Sequence, residues 1–213
     1  MQTSTSLVFA GCSFGKHGYI SEEKGFLDNW QDEKSVGYFL AEMLALNFIN
    51  LSEPGGSNFK IFDSILKSFK KNEIRKTDIL FIQWTYVARA WVHDYPNIRT
   101  IMPHVNNRLV HEYYKYIFND YQEVNKIFGY TMILQQLFDT VLYNFCDGEK
   151  FINKVSPETF SILSNNNYIN ANSNIFSIMF DDKYYFSCKH LNENGHRKLA
   201  NIYYKIIKNR QLL

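Results

Sequence analysis

Short apolar runs alternate with segments of helical periodicity in the first part of the chain. The apolar runs are residues 6–10, 47–51 and 78–84, and a polar turn follows each of them. Between the runs, apolar residues recur every three or four positions, which is typical of amphipathic helices at about 34–46 and 61–69. This alternation predicts right-handed βαβ crossovers and a mostly parallel sheet with helices on both faces.

The rest of the chain has a weaker pattern. Residues 105–143 carry an apolar stripe that predicts more than one helix, whereas residues 147–168 show no clear periodicity. Residues 172–180 are compatible with a last strand, and residues 193–208 predict a final amphipathic helix. We therefore expect residues 1–213 to form a single α/β domain, a three-layer sandwich around a mostly parallel central sheet.

Composition and charge exclude several functional classes. The formal net charge is +2 and the basic residues are interleaved with acidic ones, so nucleic acid is not expected as a partner. No stretch approaches the roughly 20 apolar residues that span a bilayer, so no membrane partner is expected either. The 3 cysteines lack disulfide or metal-ligand spacing, which favours a cytoplasmic protein without a metal or other cofactor. Residues 8–12 look like a lipoprotein cleavage box, but no basic region and long apolar run precede them.

Two residues far apart in the chain are candidates for acyl-transfer chemistry. Ser13 follows the first predicted strand in a tight turn, which would present its hydroxyl and its N–H to the same space. His190 lies just before the final predicted helix. Each has an ordinary structural explanation when taken alone, as a turn serine and as a capping or core histidine.

Four segments together resemble the sequence blocks of the SGNH/GDSL hydrolases. They are Gly11-Cys-Ser-Phe14, Asn50-Leu-Ser-Glu-Pro-Gly-Gly-Ser-Asn58, Ile82-Gln-Trp-Thr85 and His190-Leu-Asn-Glu-Asn-Gly-His196, and they occur in the family's order and structural context. The likeness is greatest to a bacterial and phage branch with Gly-Cys-Ser-Phe in the first block and Trp-Thr in the third. It implies a flavodoxin-like SGNH-hydrolase fold and an ester hydrolase. Our first hypothesis is an esterase that removes a small acyl group, with acetyl as the first candidate, from a carbohydrate or other small molecule.

The resemblance also implies a role for individual residues. Ser13 would be the nucleophile and His190 the general base. The oxyanion hole would consist of the N–H groups of Ser13 and Gly55 together with the side chain of Thr85. Gly56 replaces Gly55 in this role if the alignment shifts by one position.

One departure from the family pattern affects the oxyanion hole. Thr85 stands where the third block usually has an asparagine, and a threonine hydroxyl is a shorter donor that rotates. Gln83 and Asn58 are the alternative side-chain donors. Cys12 replaces the aspartate of the usual Gly-Asp-Ser block and is expected to be a small buried residue.

A second departure affects the partner of the histidine. Ser187 occupies the position of the triad aspartate, three residues before His190. A serine can hold the histidine tautomer but cannot stabilise an imidazolium as a carboxylate does. The site is therefore either a Ser–His dyad or a triad completed by Asp181 or Asp182.

Two alternative functions remain. One is an acyltransferase that uses the same residues, and the other is a binding module with impaired catalysis.

Overall fold

A computed structural model of the protein describes residues 5–12, 15–20, 27–86, 88–94, 97–102, 107–146, 158, 161, 168–169 and 190–213. Its helices and strands are β1 (Ser6–Ala10), β2 (His17–Ile20), β3 (Leu27–Gln31), α1 (Val36–Leu44), β4 (Asn47–Asn50), α2 (Asn58–Lys70), β5 (Ile79–Trp84), β6 (Ala90–Asp94), β7 (Asn97–Ile101), α3 (Arg108–Tyr116), α4 (Asp120–Leu137), β8 (Thr140–Phe145) and α5 (Glu193–Asn209). The strand predicted at residues 172–180 lies outside the described residues.

A parallel sheet with strand order β4-β1-β5-β8 forms the centre of the described fold. Every residue of β1 and β5 is buried, which explains why both strands are almost entirely apolar and show no polar alternation. Beyond β8, Tyr143 and Tyr168 form one further parallel bridge. The α/β class and the parallel central sheet predicted from the sequence are confirmed.

Helices cover both faces of this sheet. Successive strand residues point to opposite faces, so Leu7 and Phe9 belong to one buried cluster and Val8 and Ala10 to the other. Residues of α1 and α5 complete the first cluster, and residues of α2 and α4 complete the second. The described residues therefore form the three layers that the sequence predicts. No helix among them is both long and apolar enough to cross a membrane.

The prediction for residues 105–143 was only partly right. The two helices α3 and α4 are present, but the segment ends in the strand β8. The apolar residues Val141 and Leu142 directly continue the stripe of α4, and periodicity alone cannot tell a short buried strand from a helix. The antiparallel hairpins β2–β3 and β6–β7 were not predicted.

Asp78 joins β1 to β5 at the amino-terminal edge of the sheet. Its carboxylate accepts hydrogen bonds from the Ser6 N–H at 3.0 Å, the Arg75 N–H at 2.8 Å and the Arg75 guanidinium at 2.9 Å. Burial by itself raises the pKa of Asp78, but the hydrogen bonds from Arg75 and Ser6 outweigh burial and hold the pKa below its ordinary value. The ionised carboxylate therefore stabilises the folded state above the ordinary pKa, and this stabilisation is lost as the pH falls through the folded-state pKa.

We expect Asp78→Ala to lower the free energy of unfolding at pH 7 by about 2–4 kcal/mol, because the buried N–H donors lose a charged acceptor. Urea denaturation measures this difference. The difference between wild type and variant should shrink as the pH falls below the ordinary aspartate pKa of 3.8. Glu33→Ala removes an exposed carboxylate and is the matched control, expected within about 0.5 kcal/mol of wild type. Equal losses in both variants would contradict the assignment.

Candidate active site

The loops that carry the candidate residues follow three neighbouring strands and begin at the same edge of the sheet. Gly11 follows β1, the Gly55 loop follows β4, and Thr85 directly follows β5. Since these strands are parallel, their carboxyl ends share the edge where such folds bind ligands. Ser13 lies outside the described residues.

The chain reverses direction directly after β1. The Gly15 N–H donates to the Cys12 carbonyl at 2.9 Å, and Cys12 is fully buried, as expected. A Cβ atom at Gly15 would lie 2.1 Å from Ser52 Oγ, so only glycine fits against the loop after β4. Gly15 is therefore packed tightly against the loop after β4.

Two hydrogen bonds fasten the β4–α2 loop to this reversal. The Glu53 N–H donates to the Gly11 carbonyl at 3.0 Å, and Asn50 Nδ2 donates to the Gly15 carbonyl at 3.0 Å. The acceptors of the two bonds are the carbonyl groups of Gly11 and Gly15. They hold the first two sequence blocks next to each other.

The two adjacent glycines of this loop use their N–H groups differently. The Gly56 N–H donates to the Glu53 carbonyl at 3.1 Å. The Gly55 N–H makes no hydrogen bond to any residue that the structure describes. Gly55 has a φ of +73°, which side chains other than glycine adopt with strain, and it is half-buried. The Gly55 N–H therefore has no acceptor among the described residues, whereas Gly56 uses its N–H within the turn.

Asn58 connects the second loop to the third. Its Oδ1 accepts from the Thr85 N–H at 2.8 Å, and its Nδ2 lies 3.3 Å and 3.4 Å from the carbonyl oxygens of Thr85 and Tyr86. The side chain is buried and both ends of its amide contact main chain. Its geometry is that of a brace between the loops after β4 and β5.

The hydroxyl of Thr85 is buried at the centre of this arrangement. Thr85 is 2% exposed, and its Oγ1 has no hydrogen-bond partner within the described ranges. A buried polar atom without a partner is costly, and in native proteins it commonly marks a functional site. Thr85 is thus available as a donor beside the Gly55 loop.

A cluster of polar side chains lies in the layer that faces α5. The Asn144 amide donates to the Tyr203 hydroxyl at 2.9 Å, and Gln83 Nε2 lies 3.5 Å from the same oxygen. Burial raises the pKa of the Tyr203 hydroxyl, so this group stays neutral. Gln83, an alternative oxyanion donor from the sequence, directs its amide into this cluster.

His190 lies two residues before the N-cap of α5. The Asn192 side chain caps the helix by accepting from the Gly195 N–H at 3.0 Å. Leu191, between these residues, is buried in the same apolar cluster as Cys12. His190 is half-buried and its Nδ1 atom is buried. The covalent neighbours of His190 and of Ser13 thus share one cluster.

The candidate partners of His190 cannot be placed. Ser187, Asp181 and Asp182 all lie outside the described residues. Within the described ranges, no group of three or more His, Cys, Asp and Glu side chains is arranged to hold a metal ion.

Comparison with solved structures finds this fold in proteins of low sequence identity. A lipase/acylhydrolase from Enterococcus faecalis aligns with a TM-score of 0.58 and 12% identity over 97% of this chain and 96% of that chain. A lipolytic protein of the G-D-S-L family from Desulfitobacterium hafniense aligns with a TM-score of 0.51 and 9% identity over 95% of this chain and 99% of that chain. The chain has the SGNH/GDSL-hydrolase fold.

A third SGNH/GDSL neighbour is a catalytic serine-to-alanine mutant of an acetylxylan esterase from Geobacillus stearothermophilus. It aligns with a TM-score of 0.57 and 11% identity over 97% of this chain and 96% of that chain. No protein-family model matches the sequence, and no curated protein matches it.

Two residues of this SGNH/GDSL fold were not recognised from the sequence. Ser52 is buried against Gly15, and its hydroxyl has no hydrogen-bond partner among the described residues. Tyr203 belongs to the apolar stripe of α5, so its polar contacts with Asn144 and Gln83 left no signal in the pattern. The polar residues at the ends of buried strands, such as Gln83 and Asn144, were the available signal for this cluster.

Proposed function

We propose that the protein is a serine esterase with Ser13 as nucleophile and His190 as general base, acting on a small acetyl ester such as an acetylated carbohydrate. The observation that carries this proposal is that Cys12 and Leu191, the chain neighbours of Ser13 and His190, belong to one buried apolar cluster, while hydrogen bonds join the loops that carry the other candidate residues. Consecutive Cα atoms are only about 3.8 Å apart. The chain connection therefore keeps both Ser13 and His190 within one residue of that cluster.

Three donors suit the developing oxyanion in this proposal. They are the N–H groups of Ser13 and Gly55 and the hydroxyl of Thr85. The Gly55 N–H and Thr85 Oγ1 make no competing hydrogen bonds within the described part of the chain. Donors that are fixed in place and not otherwise engaged stabilise charge that appears only in the transition state. Asn58 would act as a positioning residue that keeps the Gly55 and Thr85 loops in register.

The reaction follows from these roles. Ser13 Oγ attacks the ester carbonyl carbon while His190 takes the hydroxyl proton, and the oxyanion donors hold the negative oxygen of the tetrahedral intermediate. His190 then gives the proton to the leaving alcohol as the C–O bond breaks, which leaves an acyl group on Ser13. In the second half, His190 takes a proton from water, which attacks the acyl carbon. The acid is released and the proton returns to Ser13.

Acetyl is proposed as the acyl group on two grounds. The fold is shared with an acetylxylan esterase whose catalytic mutant replaces a serine. In this chain, the Gly55 loop and the reversal after β1 are packed so closely that a Cβ atom at Gly15 would clash with Ser52. A tightly packed edge of this kind favours a small acyl group over a long chain.

A fluorophosphonate probe tests the nucleophile. We expect it to label one serine of the wild-type protein, identified as Ser13 by mass spectrometry of the labelled peptide, because only an activated hydroxyl is nucleophilic at neutral pH. Labelling should disappear in Ser13→Ala. Ser64→Ala is the matched control, since the Ser64 hydroxyl donates to the Ile61 carbonyl within α2, and this variant should be labelled like wild type.

Two results would count against an esterase. Absence of labelling in folded wild-type protein would favour a binding module with this fold. Labelling that persists in Ser13→Ala would show that Ser13 is not the nucleophile.

A second measurement separates hydrolysis from acyl transfer. When an acceptor sugar is added to 4-nitrophenyl acetate, an esterase should release only acetate, whereas a transferase should also form acetylated sugar.

A further inference from the structure

Arg89 lies at the same sheet edge as Thr85, four residues further along the chain. Its side chain is half-buried, and its Nε and Nη1 atoms are buried without a hydrogen-bond partner among the described residues. The guanidinium carbon lies 5.6 Å from the centre of the Tyr86 ring, an orientation typical of a cation–π contact. A buried cationic donor of this kind is unfavourable unless something accepts its hydrogen bonds.

The other arginines whose side chains are described each have an ion-pair or hydrogen-bond partner. They are Arg75 with Asp78 at 2.9 Å, Arg108 with Glu112 at 3.0 Å, Arg197 with Glu193 at 3.7 Å, and Arg210 with the Tyr168 carbonyl at 2.8 Å. Three of these pairs lie three or four residues apart along the chain, as is typical of helix and turn stabilisation. Arg89 differs from them because its guanidinium has neither an ion-pair partner nor a hydrogen-bond acceptor among the described residues.

The main chain around Arg89 is held in position from two sides. The Arg89 N–H donates to the Tyr86 carbonyl at 3.0 Å, and that carbonyl also faces Asn58 Nδ2 at 3.4 Å. The Tyr114 hydroxyl of α3 contacts the carbonyl oxygens of Ala88 and Ile101, at the two ends of the β6–β7 hairpin. The main chain of Arg89 is therefore held in position relative to the Thr85 loop.

We propose that Arg89 binds an anionic oxygen group of the substrate, a carboxylate or a phosphate, and so selects an acidic ester. This inference rests on the proposed esterase function. The planar fork of an arginine matches two oxygens of such a group, and contact with the Tyr86 ring orients the plane. The anionic group would approach the half-buried side chain from its exposed side and accept from the guanidinium, whose Nε and Nη1 atoms have no acceptor among the described residues.

Paired substrates test the selection. The 3- and 4-acetoxybenzoates carry a carboxylate, and the corresponding acetoxybenzamides are neutral analogues of similar shape. We expect wild type to have a kcat/KM about 10- to 100-fold higher for at least one benzoate than for its benzamide, the usual value of charge-assisted hydrogen bonds. Arg89→Gln should remove this preference by raising KM for the benzoate, and its turnover of the benzamide should stay within about 2-fold of wild type. Arg89→Lys should keep part of it, and the exposed Arg108→Gln should keep all of it.

Binding of the products gives a readout that does not depend on turnover. Calorimetry with 3- and 4-hydroxybenzoate, the matching hydroxybenzamides and 4-hydroxyphenyl phosphate should show anion binding that Arg89→Gln loses, and the stronger anion identifies carboxylate or phosphate as the natural group. Anion binding without hydrolysis of any ester would overturn the esterase proposal and leave the role of Arg89 intact. The inference would be overturned if wild type had equal kcat/KM and equal affinity for each anionic compound and its neutral analogue. It would also be overturned if a folded Arg89→Gln variant lost kcat/KM equally for the benzoate and the benzamide.

Discussion

Replacing His190 by alanine is expected to lower kcat/KM for a small acetyl ester by about 10³-fold or more, because Ser13 then has no general base and the leaving alcohol no general acid. Steady-state kinetics measure the loss, and circular dichroism checks the fold. His111→Ala is the matched control, since His111 is exposed on α3, and it should stay within about 2-fold of wild type. A folded His190→Ala variant that keeps a tenth or more of wild-type activity would exclude His190 as the base.

The same assay distinguishes a dyad from a displaced triad. In a dyad, Asp181→Ala and Asp182→Ala should each stay within a few-fold of wild type, and Ser187→Asp should raise the rate because a carboxylate there would stabilise the imidazolium. A loss of about 10²-fold or more in either aspartate variant, with the protein folded, would indicate a displaced triad.

Replacing Gly55 by valine is expected to lower kcat/KM by about 10²-fold, the usual cost of losing one oxyanion donor. The reason is conformational, because a Cβ atom at Gly55 would meet nothing within 4 Å, whereas the φ of +73° is strained for a β-branched residue. The loss should fall mainly on kcat, since the donor acts on charge formed in the transition state. Gly55→Asn is the informative companion, because asparagine tolerates positive φ, and it should retain activity within about 10-fold.

Gly56→Ala controls for a general disturbance of the loop. Its N–H already donates to the Glu53 carbonyl, and the new Cβ atom would lie 3.1 Å from that oxygen, so only a small shift is needed. We expect a loss of less than about 10-fold. If Gly56→Ala loses as much activity as Gly55→Val, the losses reflect a general disturbance of the loop and do not assign the oxyanion donor to Gly55.

The central fold could be predicted from the sequence because its strands are buried on both faces. The continuous apolar runs that become β1 and β5 are bounded by polar turns, and the helices between them have clear apolar stripes. The strand β8 was missed because it follows α4 after only two residues and continues its apolar run. Hairpins such as β6–β7 have no alternation strong enough to distinguish them from a loop.

The candidate site was predictable as a set of residue types and less so as a set of contacts. The order of the four sequence blocks pointed to Ser13, Gly55, Thr85 and His190 as candidates. The spacing of residues does not reveal which hydrogen-bond donors already have an acceptor within the protein. The difference between Gly55 and Gly56 depends on one turn hydrogen bond to Glu53. The brace formed by Asn58 depends on two loops meeting after the chain folds.

The position of β1 between β4 and β5 has a consequence for synthesis of the chain. Both neighbours follow β1 in sequence, and each parallel pairing needs an intervening crossover through α1 or α2. A nascent chain that ends before Trp84 therefore exposes β1, an apolar strand whose hydrogen bonds to β5 have not yet formed. Chaperones protect segments of this type. Folding of the sheet during translation must wait for β5, and β8 can add only afterwards at the free edge of β5.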